Sequence, residues 1–383
     1  QKEGKFDYIT PRAPKGEKPY RFNWQTPILL SSHNQDILYM GSEFLHRSMN
    51  QGETWERISG DLTNGAKEGN VAFGTLTTIS ESKFQFGLLY AGSDDGKIHV
   101  SKDGGVSWQL ISANLPQNLW VSRVVASTHK KERVYATLND YRNDNFESYV
   151  YVSEDYGATW TSISNGLTNA VNVIVEDSVN ENILYVGTDN GLFISLDKGA
   201  TWQDFSNGMP NVAVHDAVIQ TKAKELIVGT HGRSIYKMDI SKVQELTKEV
   251  LAKNLYLFKV NDKTKSERWG TQNYAWGKPS DPSQEIWFYL NTDGLVNVSI
   301  TNDVGMVVNA KKVEAKKGLN SFAYDYLLSK EVADKWNKKD KNIKLKAAEN
   351  QKVYLPVGKY KLTISKDKVS ESKTFELTAP KKQ

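Results

Sequence analysis

The stretch Ser153-Glu-Asp-Tyr-Gly-Ala-Thr-Trp160 decides the fold, because the chain carries it in four versions. The others are Ser48-Met-Asn-Gln-Gly-Glu-Thr-Trp55, Ser101-Lys-Asp-Gly-Gly-Val-Ser-Trp108 and Ser195-Leu-Asp-Lys-Gly-Ala-Thr-Trp202. The shared pattern is Ser-x-Asp-x-Gly-x-Thr-Trp, with Asn50 and Ser107 as the departures. Each copy follows a second string: Ile37-Leu-Tyr-Met-Gly41, Leu88-Leu-Tyr-Ala-Gly92, Ile183-Leu-Tyr-Val-Gly187 and a degenerate Arg133-Val-Tyr-Ala136. A fifth string, Glu225-Leu-Ile-Val-Gly229, reaches no Trp box. The unit recurs every 42–53 residues, which fits one four-stranded propeller blade. The chemistry of the box is local. A strand ends at Ser, the Asp (or Asn50) accepts backbone N–H groups to close a turn, and Gly supplies positive φ. Thr and Trp start the next strand, with the Trp ring packed between neighbouring sheets.

Bulk composition agrees with a soluble globular chain. Of 383 residues, 39% are hydrophobic and 25% charged, and two domains are the default for that length. The aromatic content of 11% leans toward β-structure or a binding surface. The absence of cysteine excludes disulfides, zinc thiolate sites and Cys nucleophiles. The six His residues show no ligand spacing, so neither a metal nor a cofactor is expected. No apolar run approaches the ~20 residues of a membrane helix. The net charge of +4 is scattered, apart from a Lys-rich stretch from Lys330 to Lys352. Only Trp336 interrupts that stretch, so it reads as a solvated loop and not as a nucleic-acid surface.

The box resembles the Asp-box or BNR repeat of sialidases, xyloglucanase-type glycosidases and sortilin-type propellers. In those families it lies on the blade periphery. The resemblance therefore implies a structural role for Ser48, Asn50, Gly52, Trp55, Ser101, Asp103, Gly105, Trp108, Ser153, Asp155, Gly157, Trp160, Ser195, Asp197, Gly199 and Trp202. Further strings narrow the likeness: Arg21-Phe-Asn-Trp-Gln-Thr-Pro27, Trp120-Val-Ser-Arg-Val-Val-Ala126, Tyr141-Arg-Asn-Asp144, Val212-Ala-Val-His-Asp216 and Gly229-Thr-His-Gly-Arg-Ser234. Together they look like the second half of large secreted bacterial proteins, usually labelled BNR-repeat glycosyl hydrolase or sortilin-like. The likeness covers about residues 20–260 closely. It implies an extracellular, cell-surface or outer-membrane-associated protein. It also implies that an N-terminal part is missing, removed or present as another chain. Because five repeats are visible, the ring closes alone, with its first residues, or with a separate N-terminal segment.

The expected fold is all-β: a β-propeller of Asp-box blades followed by a small Ig-like β-sandwich. The domains are read as an N-terminal extension (1–19), blades (20–240), a short helix and linker (241–283) and the sandwich (284–383). Ser241 to Lys253 reads as one helix capped by Ser241. Alternation at Ile286, Phe288 and Leu290 and at Val296, Val298 and Ile300 marks strands. Leu355-Pro-Val-Gly358 before Tyr360 resembles an element of bacterial Ig-like domains.

The inner strand of each blade lines a propeller's channel. The candidates are Asn23–Leu30, Val71–Ile79, Trp120–Ser127, Val171–Glu176 and Val212–Ile219. Most begin with polar or aromatic residues, which a strand running Val-Val-Ala does not carry without partners. This nominates Arg21, Asn23, Trp24, Trp120, Ser122, Arg123, Asn172, His215 and Asp216 as binding residues at one mouth. Arg142 on a hairpin loop, and His231 and Arg233 in a Thr-His-Gly-Arg turn, join them. The favoured function is a binding or scaffold propeller for a peptide, protein partner or glycan. A glycoside hydrolase is the alternative, and a structural subunit of an envelope assembly is the third reading. Hydrolysis needs two carboxylates about 5.5 Å or 6.5–9.5 Å apart, and Asp216 with Glu176 is the available pair. Carboxylates each tied to Arg or His favour binding.

Overall fold

The computed structural model describes residues 8–67, 73–272, 274, 276–340 and 344–380. Two compact units divide at Gln244/Glu245. The first holds five antiparallel sheets, each running in chain order from inner to outer strand. Blade 1 is β1 (Ile28–Leu30), β2 (Leu38–Gly41), β3 (Leu45–Ser48) and β4 (Glu56–Arg57). Blade 2 is β5 (Leu76–Glu81), β6 (Leu89–Ser93), β7 (Ile98–Ser101) and β8 (Gln109–Leu110). Blade 3 is β9 (Trp120–Ala126), β10 (Val134–Asp140), β11 (Asn145–Ser153) and β12 (Thr161–Ser162). Blade 4 is β13 (Val171–Glu176), β14 (Leu184–Thr188), β15 (Gly191–Ser195) and β16 (Gln203–Asp204). Blade 5 has three strands, β17 (Val214–Gln220), β18 (Glu225–Thr230) and β19 (Ile235–Asp239). The expected inner strand of blade 2 starts at Val71, which lies outside the described residues.

The Leu-Tyr string forms each second strand. Its tyrosines Tyr39, Tyr90, Tyr135 and Tyr185 are buried in the joints between blades. The glycine ending the string lets the next inner strand press close. A Cβ at Gly92 would meet Val121 at 2.6 Å, and one at Gly187 would meet Val214 at 2.5 Å. In the degenerate repeat this place belongs to Thr137, whose hydroxyl bonds Ser122 at 2.8 Å.

The box closes as its composition dictates. In blade 3, Ser153 Oγ donates to Asp155 at 2.7 Å, and Gly157 N–H donates back to Ser153 Oγ at 2.7 Å. Asp155 also accepts Thr159 N–H at 2.8 Å and Thr159 Oγ1 at 2.6 Å. Gly157 holds φ at 91°, a region that Gly occupies without Cβ strain. The tryptophan then clasps the preceding blade. The Trp108, Trp160 and Trp202 indoles donate to the carbonyls of Ile58, Ile111 and Ile163 at 2.9, 2.8 and 2.6 Å. Each bond satisfies a carbonyl just past an outer strand and locks neighbouring blades at their rim.

These hydrogen bonds also set box acidity. The Ser107 hydroxyl, then the Ser107 amide and Ser101, hold Asp103 down at about 2. The Thr159 hydroxyl and amide and Ser153 do the same for Asp155, also at about 2. Asn50 makes the matching contacts to Ser48 and Thr54 without a charge. Asn50→Asp is therefore expected to raise the melting temperature by about 2 °C at pH 7, because charge strengthens each bond. A carboxylate depressed in the fold stabilises above its unfolded value of about 3.9, and that gain fades as pH falls toward 2. Calorimetry of both proteins at pH 7 and pH 3 checks this. An equal difference at the two pH values counts against it.

The second unit begins with α2 (Lys248–Leu251), which Thr247 caps; α1 (Ser241–Gln244) closes the first unit. The single helix expected over 241–253 is thus two short turns, because the chain breaks between Gln244 and Lys248. Its strands are β20 (Leu255–Leu257), β21 (Lys263–Thr264), β22 (Gln284–Leu290), β23 (Gly294–Asn302), β24 (Val307–Ala315), β25 (Gly318–Tyr324), β26 (Leu327–Leu328), β27 (Val353–Tyr354), β28 (Gly358–Lys366) and β29 (Val369–Thr378). A three-stranded sheet β20-β22-β25 and a five-stranded sheet β21-β29-β28-β23-β24 share one core that includes Phe288, Val298, Leu362 and Phe375. The Lys-rich stretch is not all loop. A helix α3 (Lys330–Lys339), capped by Ser329, buries Ala333 and Trp336 and turns its lysines outward.

Candidate functional site

The five inner strands converge on one cleft of about 370 Å³. Gln25–Ile28 come from blade 1 and Thr77–Ile79 from blade 2. Blade 3 gives Trp120, Ser122, Arg123, Asn139, Tyr141 and Arg142, blade 4 gives Asn172, and blade 5 gives His215 and Asp216. A larger depression of about 540 Å³ lies in the second unit among Asn302, Trp336 and Tyr360. The propeller cleft is the better candidate because it draws on every blade and gathers its polar groups inward.

Two arginines dominate it, in different ways. Arg123 reaches from β9 across blade 4 to Asp216 on β17, with Nη2 2.8 Å from Oδ1. Asp216 is thus engaged, although the pair is open to solvent and contributes little to stability. Arg142 has no carboxylate partner among the described residues. Its guanidinium lies over the Trp120 ring at 3.9 Å and the Tyr141 ring at 4.5 Å. The rings hold it by its face, which leaves the N–H edge available for a planar anion.

A buried amide ladder forms the floor. Asn139 donates to the Val171 carbonyl and to Asn172 Oδ1 at 3.2 and 3.4 Å, and Asn172 donates to Asp189 at 2.8 Å. Asn139 is 3% exposed, and its Oδ1 accepts no hydrogen bond among the described residues. Arg123 Nε, also buried, has no acceptor among the described residues. The two cleft-lining residues thus each carry a buried unpartnered polar atom, which is costly to leave unmade. The His215 and His231 rings pack tilted against each other, with centroids 5.2 Å apart. Burial first, and then the His231 ring, lower the His215 pKa, while Asp189 opposes them.

Other nominated residues lie elsewhere. Arg21 is locked by Asp61 at 2.7 Å, the Gly74 carbonyl at 3.0 Å and Glu43 at 3.6 Å. Asn23 is buried against Thr75 and Asp94. Trp24 is 84% exposed, next to the cleft residue Gln25. His231 packs against the cleft residue His215 without lining the cleft itself, and Arg233 is exposed in the turn beyond it. Glu176 is buried and does not line the cleft. Its carboxylate accepts Ser127 Oγ at 2.9 Å, Thr128 N–H at 2.6 Å and Tyr135 OH at 2.9 Å, and Arg133 lies 3.4 Å away. Glu81 holds the same place in blade 2, gripping Ser31 at 2.6 Å and Tyr39 at 3.0 Å. The pairing of Asp216 with Glu176 is therefore not formed: one carboxylate is on the cleft and the other staples blades 3 and 4. Gln25, Thr26, Thr77, Asn139 and Tyr141 carried no nomination. Asn139 could have been noticed where its repeat departs from the Gly-ending string.

Residues 148–295 match the Sortilin-Vps10 family model, described as "Sortilin, neurotensin receptor 3,". The fold is a sortilin-type β-propeller. No curated protein sequence matches the chain. Among solved structures it is similar to an ancestral GH74 enzyme, with 15% identity and a TM-score of 0.45, covering 77% of this chain and 39% of that one. It is also similar to the GH74 xyloglucanase from Xanthomonas campestris, with 11% identity and a TM-score of 0.46, covering 93% and 55%. A third is YCF48 bound to D1 peptide, with 13% identity and a TM-score of 0.40, covering 61% and 68%. The sortilin-type propeller chain thus spans well under two thirds of the two GH74 chains. Among its described residues, no helix is long and apolar enough to cross a membrane, and no group of three or more His, Asp and Glu is placed to hold a metal ion.

Proposed function

We propose that this propeller is an extracytoplasmic recognition module that binds a peptide, a protein segment or a glycan at its inner cleft without transforming it. The state of the carboxylates supports this reading most. Among the described residues, Asp216 is the one carboxylate lining the cleft, and it is bound to Arg123. An acid–base pair flanking a scissile bond has no counterpart among the described residues of the cleft. Arg142, presented on Trp120 and Tyr141, gives the cleft a surplus cation beside flat apolar surface. That combination suits a ligand with an acidic group next to an apolar or ring face.

Peptide and glycan arrays, followed by calorimetric titration of the hits, test the proposal. Arg142→Ala is expected to weaken the best ligand at least about tenfold, a change of about 1.4 kcal/mol. The ligand should be recovered chemically unchanged after long incubation. Affinity unaltered by Arg142→Ala, or release of cleavage products, would refute it.

A further inference from the structure

The stretch between β21 and β22, which reads as linker in the sequence, leaves and re-enters the second unit as a pinned tongue. Trp269 is wedged into the core against the Tyr326 and Tyr354 rings, with centroids 5.5 and 5.8 Å away. Gly270 N–H donates to the Ser280 carbonyl at 2.8 Å, and Ser280 N–H donates to the Thr271 carbonyl at 2.9 Å. Asp281 then accepts Lys352 Nζ at 2.7 Å, Asn350 Nδ2 at 2.9 Å and the Tyr354 hydroxyl. Gly270 has φ 76°, and a Cβ there would lie 2.6 Å from Ala348, so glycine lets the tongue leave its base this closely.

The tip buries nothing. Tyr274 and Trp276 are 66% and 88% exposed. Their ring planes lie 15° apart with centroids 5.8 Å apart, and Gly277 N–H closes a turn on the Tyr274 carbonyl at 2.9 Å. Tyr274 thus backs Trp276, and the indole stays open to solvent. Two large apolar rings held in water gain the fold little, which marks them for a ligand. Charge is a second, independent observation. Residues 245–383 hold 26 Lys and Arg against 17 Asp and Glu, a net charge of +9, whereas residues 1–244 hold 23 against 28, a net charge of −5. Lys278 is exposed on the tongue itself, two residues past Trp276. Such a surplus attracts polyanions.

We infer that this tongue binds an acidic polysaccharide, with Trp276 stacked on the flat C–H face of a pyranose ring and Lys278 near its carboxylates. The site belongs to the second unit and does not rest on the reading of the inner cleft. The surroundings of the rings select this ligand. The other described residues of the tip are Gln272, Gly277, Lys278 and Pro279, none of them large and apolar. A protein hot spot is ringed by contacts that exclude water, and a membrane anchor needs a broader apolar face. A sugar needs neither, because its C–H face meets the negative face of the aromatic ring while its hydroxyls keep their water. The pinned base and the Tyr274 ring hold the indole in place beforehand, which lowers the ordering cost of binding.

Calorimetric titration of the full chain with polygalacturonate and with alginate tests this, with dextran as the neutral comparator. All proteins carry Arg142→Ala, which removes the surplus cation of the inner cleft. At least one acidic polymer should bind, and dextran should bind at least about tenfold more weakly. Trp276→Ala should weaken acidic-polymer binding at least about tenfold without moving the melting temperature, and Trp276→Phe should retain most of the affinity. Val304→Ala, at a site of the same unit that is 78% exposed, should leave binding as it was. Trp276→Gln serves as the second substitution if the alanine variant fails to accumulate. The inference is overturned if neither acidic polymer binds, if dextran binds equally well, or if Trp276→Ala weakens binding no more than Val304→Ala. Trp276-dependent retention on phosphatidylcholine–phosphatidylglycerol vesicles without polysaccharide binding would also overturn it.

Discussion

Glu176→Ala is expected to lower the melting temperature of the propeller by about 10 °C. The carboxylate is buried and takes up Ser127 Oγ, the Thr128 amide and Tyr135 OH, with the Arg133 guanidinium at 3.4 Å. Removing it leaves these donors unpaired inside the joint between blades 3 and 4. Breaking such a buried charged network costs about 3–5 kcal/mol. A domain of this size loses about 2–4 °C per kcal/mol. Asp216→Ala makes the contrast, because its pair with Arg123 is solvent-exposed and worth at most about 1 kcal/mol. Differential scanning calorimetry of both variants separates the two roles. Near-equal shifts would mean that Glu176 is not a staple.

The second large effect is expected at Gly157. The residue sits at φ 91°, and a Cβ there would lie 2.4 Å from Ile111 Cδ1 in the preceding blade. Gly157→Val adds strain at a positive φ, about 1–2 kcal/mol, to overpacking of about 1–3 kcal/mol. A fall of roughly 10 °C follows. Gly166 provides the control. It has φ 88° with open space around it, so Gly166→Ala carries the backbone cost alone. If Gly157→Ala and Gly166→Ala destabilise equally, the box glycine does not pack between blades.

Much of the propeller is legible in the sequence because its determinants are local. A box turn is closed within eight residues, so Ser153, Asp155, Gly157 and Thr159 announce their own hydrogen bonds. The partners of charged side chains are not local. Arg21 and Arg123 look alike as arginines on inner-strand strings, yet Arg21 is spent on Glu43, Asp61 and Gly74, while Arg123 faces the cleft. Those partners lie 22 to 93 residues away, where no local pattern reaches. Asn139 is marked locally only by the departure of its repeat from the Gly-ending string; its partners, Asn172 and Val171, lie in the next blade. The helix α3 was hidden by its lysines, which outnumber the two residues, Ala333 and Trp336, that it buries.

The most direct test of the account is to measure affinity and turnover together for wild type and Asp216→Asn, on the tightest ligand returned by the arrays. The account predicts that wild type binds without releasing product, and that Asp216→Asn changes affinity by freeing Arg123. Product release by wild type that disappears in Asp216→Asn, with binding retained, would contradict it and make Asp216 a catalytic acid or base.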